Sequence, residues 1–211
     1  MGNRIDYISF ERALKPFEVF RLPDILKIFP HFDSKRLTEW QRKGYIIKLI
    51  KGCYVFCHAN FDQRMLFLVA NKMTRPSYVS LESALSLHGL IPEQAFSITS
   101  VTTQKTHAYE TVKGYFTYKS IKESLFFGYQ ASRQTGRPPV LIADGEKALL
   151  DLLYCNPALN KPAALEALRL NKTILNSLDK SKLGTYLKLF DSATLTNRFN
   201  LLKEVFYVDF A

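Results

Sequence analysis

Five breakers of regular structure, Pro16, Pro23, Pro30, Gly44 and Gly52, cut the first quarter of this 211-residue chain into pieces too short to stand alone. Lys15-Pro16 stops a helix over residues 5–14, where Ile5, Ile8 and Phe10 or Arg12 recur with mixed periodicity. A short extended piece follows at 17–20. Pro23 suits the first turn of a second helix that Pro30 ends, with Leu22, Ile25, Leu26 and Phe29 along one face. Asp33 or Ser34 caps a third helix, Lys35 to Lys43, and Gly44 stops it. Residues 45–50 and 53–56 read as two strands joined by the hairpin turn Lys51-Gly52. Helix, short strand, helix, helix and hairpin, in that order, predict a winged helix-turn-helix over residues 1–58.

Helical geometry assigns faces to the third helix. At about 100° per residue, Leu37 and Trp40 share the face that packs, and Lys35, Thr38, Glu39 and Arg42 turn outward. Ser34 stands at its start, and Arg36 and Lys43 lie on its flanks, where phosphates of a duplex would pass. Arg42 could read a base edge, and Lys48 and Lys51 sit on the hairpin, above a neighbouring phosphate run or the minor groove. These nine residues are the expected contacts to double-stranded DNA. The alternative reading is a protein-docking module, a role other winged helices fill.

Charge agrees with an anionic partner. The net charge is +10, and residues 1–58 carry half of it, 11 Lys and Arg against 6 Asp and Glu. The first residues have no apolar stretch of the secretory kind, and the longest apolar run, 65–70, is too short to span a bilayer. A cytoplasmic protein with no membrane contact is the expectation. Three cysteines suit a reducing compartment. Cys53 and Cys57 stand on one extended run, whose ends are roughly 13 Å apart, too far to share a zinc ion or a disulfide.

Residues 59–211 are expected to form a mixed α/β domain with a small sheet and a helical tail, making the chain α+β overall. Helices are predicted at 61–73, 81–88 (capped by Ser80) and after Asp144, where Ala148, Leu149, Leu152 and Leu153 face inward. Strands are predicted at 97–103, 114–119 and 140–142. Several helices fill 161–206, the last carrying Leu195, Phe199, Leu202 and Phe206 on one stripe. Residues 58–60 form the join between the two parts.

The motifs that carry chemistry are mostly absent from the sequence. The chain has no phosphate-cradling glycine loop and no dinucleotide fingerprint, and its four histidines lack metal-ligand spacing. Ser177 and Lys180 match a Ser–Lys nucleophile spacing over too few residues to carry weight. Asp144, Glu146 and Lys147 suggest a metal nuclease, but neighbours on a helix diverge by about 100°, so a capped helix with a solvated edge is the plainer reading. A non-enzymatic chain without cofactor or metal is expected.

Residues 37–54, with Leu37, Trp40, Lys43-Gly44-Tyr45-Ile46 and Lys51-Gly52-Cys53-Tyr54, resemble the N-terminal winged helix of AbiEi-type antitoxins, regulators of type IV toxin–antitoxin systems. The runs Tyr78 to Leu85 with His88-Gly89-Leu90, Ser100 to Thr103, and Ala143 to Asp151 resemble their C-terminal domain. The resemblance covers about 35–155. It implies a repressor that binds DNA upstream of its own operon and counteracts a nucleotidyltransferase-like toxin, or an orphan regulator without that partner.

Overall fold

The computed structural model describes residues 5–92 and 97–207. Helix α1 (Tyr7–Leu14) begins at Asp6, whose carboxylate accepts the Ser9 N–H at 2.9 Å and the Ser9 hydroxyl at 2.7 Å. Its inward residues are Phe10 and Leu14; Ile8, one of the residues of the mixed apolar pattern, points outward and is 70% exposed. A 3-10 turn at Lys15–Phe17 leads to strand β1 (Val19–Arg21), two residues later than the expected extended piece. Helix α2 (Leu22–Ile28) buries Ile25, but Leu26 is exposed. Asp24 takes the buried position instead, because its carboxylate accepts the Arg21 N–H at 2.9 Å and so tethers the helix start.

Helix α3 (Lys35–Arg42) is tethered by Asp33, not Ser34, since the Asp33 carboxylate accepts the Lys35 N–H at 2.9 Å while Ser34 makes no capping bond. Gly44 ends it at φ +73°, and the Tyr45 N–H then reaches back to the Trp40 carbonyl at 2.9 Å. The chain turns straight into β2 (Ile46–Ile50) and β3 (Cys53–Phe56). Gly52, at φ +77°, closes the hairpin in a conformation that side-chain-bearing residues avoid.

β3 is the centre of a three-stranded antiparallel sheet in the order β1-β3-β2. That position explains why all four of its residues are buried. Tyr54 and Phe56 join Phe10, Phe20, Leu37 and Trp40 under the helices. Cys53 and Val55 face the other way and pack with Val19, Leu49 and residues of helix α4 (Gln63–Met73). The period-two alternation of a strand thus gives one short sheet two cores. The second core crosses residue 58, so residues 5–58 and the rest share apolar packing.

The larger sheet has six strands, more than the small sheet expected: β4 (Ser77–Val79), β5 (Ser97–Thr102), β6 (His107–Thr111), β7 (Gly114–Ser120), β8 (Tyr129–Ser132) and β9 (Val140–Ala143), ordered β6-β7-β5-β4-β9-β8. β5 and β7 run parallel, as do β4 and β9; the other pairs are antiparallel. α4 covers one face. The other face carries α5 (Leu81–Leu87) and α6 (Gly145–Cys155), followed by α7 (Pro162–Glu166), α8 (Lys172–Asn176), α9 (Lys180–Phe190) and α10 (Ala193–Phe206). Leu195, Phe199, Leu202 and Phe206 form the buried stripe of α10, as their spacing predicts. The chain is mixed α+β. No helix among the described residues is long and apolar enough to cross a membrane.

Candidate nucleic-acid interface

α3 separates its residues as its amphipathic pattern requires. Leu37 and Trp40 are 3% and 1% exposed, and the Trp40 ring packs on Phe10 at 4.4 Å between centroids. Ser34, Lys35, Thr38, Arg42 and Lys43 are exposed, and so are Lys48 and Lys51 on the β2–β3 hairpin. Seven of the nine expected contact residues are therefore open to a partner.

The remaining two are constrained. Arg36 is half-buried, its guanidinium lying 4.9 Å over the Trp40 ring, with Nε and Nη1 enclosed and without a hydrogen-bond acceptor among the described residues. It is stacked against the core and not extended along the flank. Glu39 is half-buried and paired with Lys43 at 2.8 Å, one helical turn away. The pair shields part of the Lys43 charge and keeps a carboxylate on an otherwise basic face.

A groove of about 1070 Å³ runs between the start of α1 and the outer side of α3. Lys35, Arg36, Glu39 and Arg42 form its α3 wall; Thr38 does not line it. Ile5, Asp6, Ser9 and the loop Phe29 to Asp33 form the other side. Helical spacing finds the α3 wall, but the opposing wall is assembled only by folding, so His31 and Ser9 carried no sequence signal.

Glu18, at φ +56° before β1, holds this unit against the rest of the chain. Its carboxylate accepts from Arg64 of α4 at 2.9 Å and from Arg137 of the β8–β9 loop at 2.6 Å. Arg64 also donates to the Pro138 carbonyl, and Arg137 lies 3.6 Å from Asp62. These groups come from three segments far apart in sequence, and none stood out in it.

The charged residues around Asp144 are engaged with one another. Asp144 accepts the Lys147 N–H at 2.8 Å as the cap of α6. Glu146 is only 8% exposed, contrary to the solvated edge expected, because it accepts the Asp179 N–H at 2.9 Å at the start of α9 and pairs with Lys182 at 3.1 Å. Lys182 also meets Asp144 at 3.0 Å, and Tyr186 donates to Asp144 at 3.0 Å. Burial pushes the Glu146 carboxyl up, but the Asp179 N–H and Lys182 outweigh it and hold it below the usual carboxylate range. Two helix starts are cross-linked through these groups.

Lys147 is fully buried and pairs with Asp151 one turn on. Its ammonium also donates to Tyr78 OH at 2.8 Å, and Asp151 accepts from Tyr78 at 2.9 Å and from Ser80 at 2.8 Å. The network satisfies charges that could not otherwise be held away from water. Gly128, at φ +71°, admits it: a Cβ there would meet the Lys147 side chain at 2.8 Å. Ser80, expected to cap α5, spends its hydroxyl on Asp151 instead.

Among the described residues no three His, Cys, Asp or Glu side chains gather as a metal site. The cysteines are free; burial pushes the Cys53 thiol up to about 11 and the Cys155 thiol to about 12, so both are poor nucleophiles. Ser177 donates to the Ile174 carbonyl at 2.8 Å.

Neither the known protein families nor the curated proteins contain a match to this chain. Among solved structures, the crystal structure of the RV2827C protein from Mycobacterium tuberculosis is similar, with a TM-score of 0.57 and 15% sequence identity. The match covers 94% of this chain and 75% of that one. At that identity the likeness concerns the fold alone.

Proposed function

We propose that residues 5–58 form a winged helix-turn-helix that binds duplex DNA, with α3 in the major groove and the β2–β3 hairpin as the wing. The observation that carries this reading is the division of α3. Leu37 and Trp40 anchor it in the aromatic core, and Lys35, Thr38 and Arg42 stand exposed on its outer side, with Lys48 and Lys51 exposed on the adjoining hairpin. A rigidly held helix with free basic side chains is what base-edge and phosphate contacts need.

In this proposal the chain is a transcriptional regulator of its own operon. Its likeness to AbiEi-type antitoxins extends the proposal to an antitoxin that counteracts a nucleotidyltransferase-like toxin. Many residues behind that likeness, among them Tyr78, Ser80, Leu85, Lys147 and Asp151, are buried. Buried residues serve the packing of this fold, so in this proposal the surface that opposes a toxin lies in other residues.

The test is a gel-shift panel of duplexes tiling the region upstream of the gene, over a series of salt concentrations. A regulator shifts one or a few tiles at moderate salt. Equal affinity for every tile would refute it, and a protein partner at equal stoichiometry with no DNA affinity would favour docking.

A further inference from the structure

We propose that the cavity between α4 and the loop entering β9 binds a small monocarboxylate with an apolar body. The cavity has a volume of about 570 Å³, within the range of small-molecule sites. Leu68, Asn71 and Lys72 of α4 form one wall, and Arg75 extends it from the segment just past the end of the helix. Pro138, Pro139 and Leu141 face them, with Phe126 and Tyr129 between.

The lining asks for an apolar body. Asn71, the polar side chain in mid-wall, is already committed, since its Oδ1 accepts the Leu141 N–H at 2.7 Å and its Nδ2 donates to the Leu141 carbonyl at 3.3 Å. Ser77 is committed as well, its hydroxyl donating to the Thr74 carbonyl at 2.7 Å, and apart from Lys72 and Arg75 the rest is hydrocarbon and ring.

One end asks for an anion. Lys72 and Arg75 are like charges that both line the cavity, and Arg75 adds to the cost of charging Lys72. Lys72 is half-buried, and that burial lowers its ammonium from the usual range. It lies 5.7 Å over the Phe17 ring and feels Asp24, yet makes no hydrogen bond or ion pair among the described residues. Asp24 itself is occupied by the Arg21 N–H. A carboxylate at this end would receive N–H donors from a cation that has no acceptor, while its body displaces water from the cavity. A dianionic phosphate fits less well, because the cavity offers few further donors.

The same walls join the clamp across the chain. Phe17 lies under Lys72, and Arg64, which binds Glu18, also donates to the Pro138 carbonyl. A ligand here would touch the contacts that orient residues 5–58, and the site stands whether or not those residues bind DNA.

The experiment is calorimetric titration of the full chain with octanoate, and with octanamide as the uncharged match. Octanoate should saturate one site and bind at least about tenfold tighter than octanamide. Lys72→Met should remove that preference, and Arg75→Gln, an exposed change that leaves the fold intact, should weaken octanoate several-fold. The proposal is overturned by an absence of saturation at millimolar octanoate, by equal affinity for octanamide, or by wild-type affinity in both variants.

Discussion

The Glu18 carboxylate and the Arg64 guanidinium meet at 2.9 Å although 46 residues separate them, and each side chain is only 21% exposed. With Arg137 on the other carboxylate oxygen, this contact ties the N-terminal helices to α4 and to the β8–β9 loop. The geometry that presents α3 is thus fixed partly from outside residues 5–58.

Glu18→Gln should therefore lower stability by about 1–2 kcal/mol, since two half-buried guanidinium groups lose a charged acceptor. Urea denaturation measures it. A change below about 0.5 kcal/mol, the scale of ordinary surface substitutions, would mean that water replaces the contact.

Lys147 and Asp151 call for a double-mutant cycle. Lys147→Met alone strands a buried carboxylate and should cost about 3–5 kcal/mol, while Lys147→Met with Asp151→Leu should cost much less than the sum of the single changes. Additive losses would show that the two groups do not act as a pair.

Stability should be flat in mid-range pH and fall at both ends through the α6–α9 cross-link. Glu146 is held below its ordinary 4.5 because the Asp179 N–H and Lys182 outweigh its burial; its contribution is present above 4.5 and is lost as pH falls through the lower folded value. Lys182 is raised from 10.5 to about 12 because Asp144 and Glu146 outweigh its burial; its contribution is complete below 10.5 and lost as pH rises through about 12. Melting temperature against pH checks both limbs, and Glu146→Gln should flatten the acid one. An unchanged acid limb in that variant would assign it to other carboxylates.

Trp40→Ala and Arg42→Ala should separate folding from recognition. Loss of the buried indole should cost about 3–5 kcal/mol and disrupt the N-terminal core. Arg42→Ala, on the exposed face, should stay within about 0.5 kcal/mol of wild type. Paired thermal melts decide it; a large loss for Arg42→Ala would place that side chain in the packing.

The helices were legible wherever one stripe meets one core. Leu37 and Trp40 in α3, and Leu195 to Phe206 in α10, obey a helical period because each helix buries a single face. α6 obscured its own environment: it is buried on nearly every side, so Glu146 and Lys147 look like surface charges until their partners on α9 and β4 are in place. β4, β6 and β8 escaped detection because three to five residues, several of them polar, hold no clear alternation; pairing with neighbours defines them. In the candidate interface, spacing identified the outward side of α3. It could not show that Arg36 folds onto Trp40, or that α1 supplies the opposite wall of the groove.

The central claim, that α3 reads DNA, is tested most directly by fluorescence anisotropy with the preferred upstream duplex and a scrambled duplex of equal length, across a salt series. The account predicts tighter binding to the preferred duplex and a steep decline of affinity with salt. Lys51→Ala should weaken both duplexes and reduce the log–log salt slope by about 1, whereas Arg42→Ala should lose about 1–3 kcal/mol on the preferred duplex alone. Equal affinity for the two duplexes, or an Arg42→Ala variant that discriminates as wild type does, would contradict it.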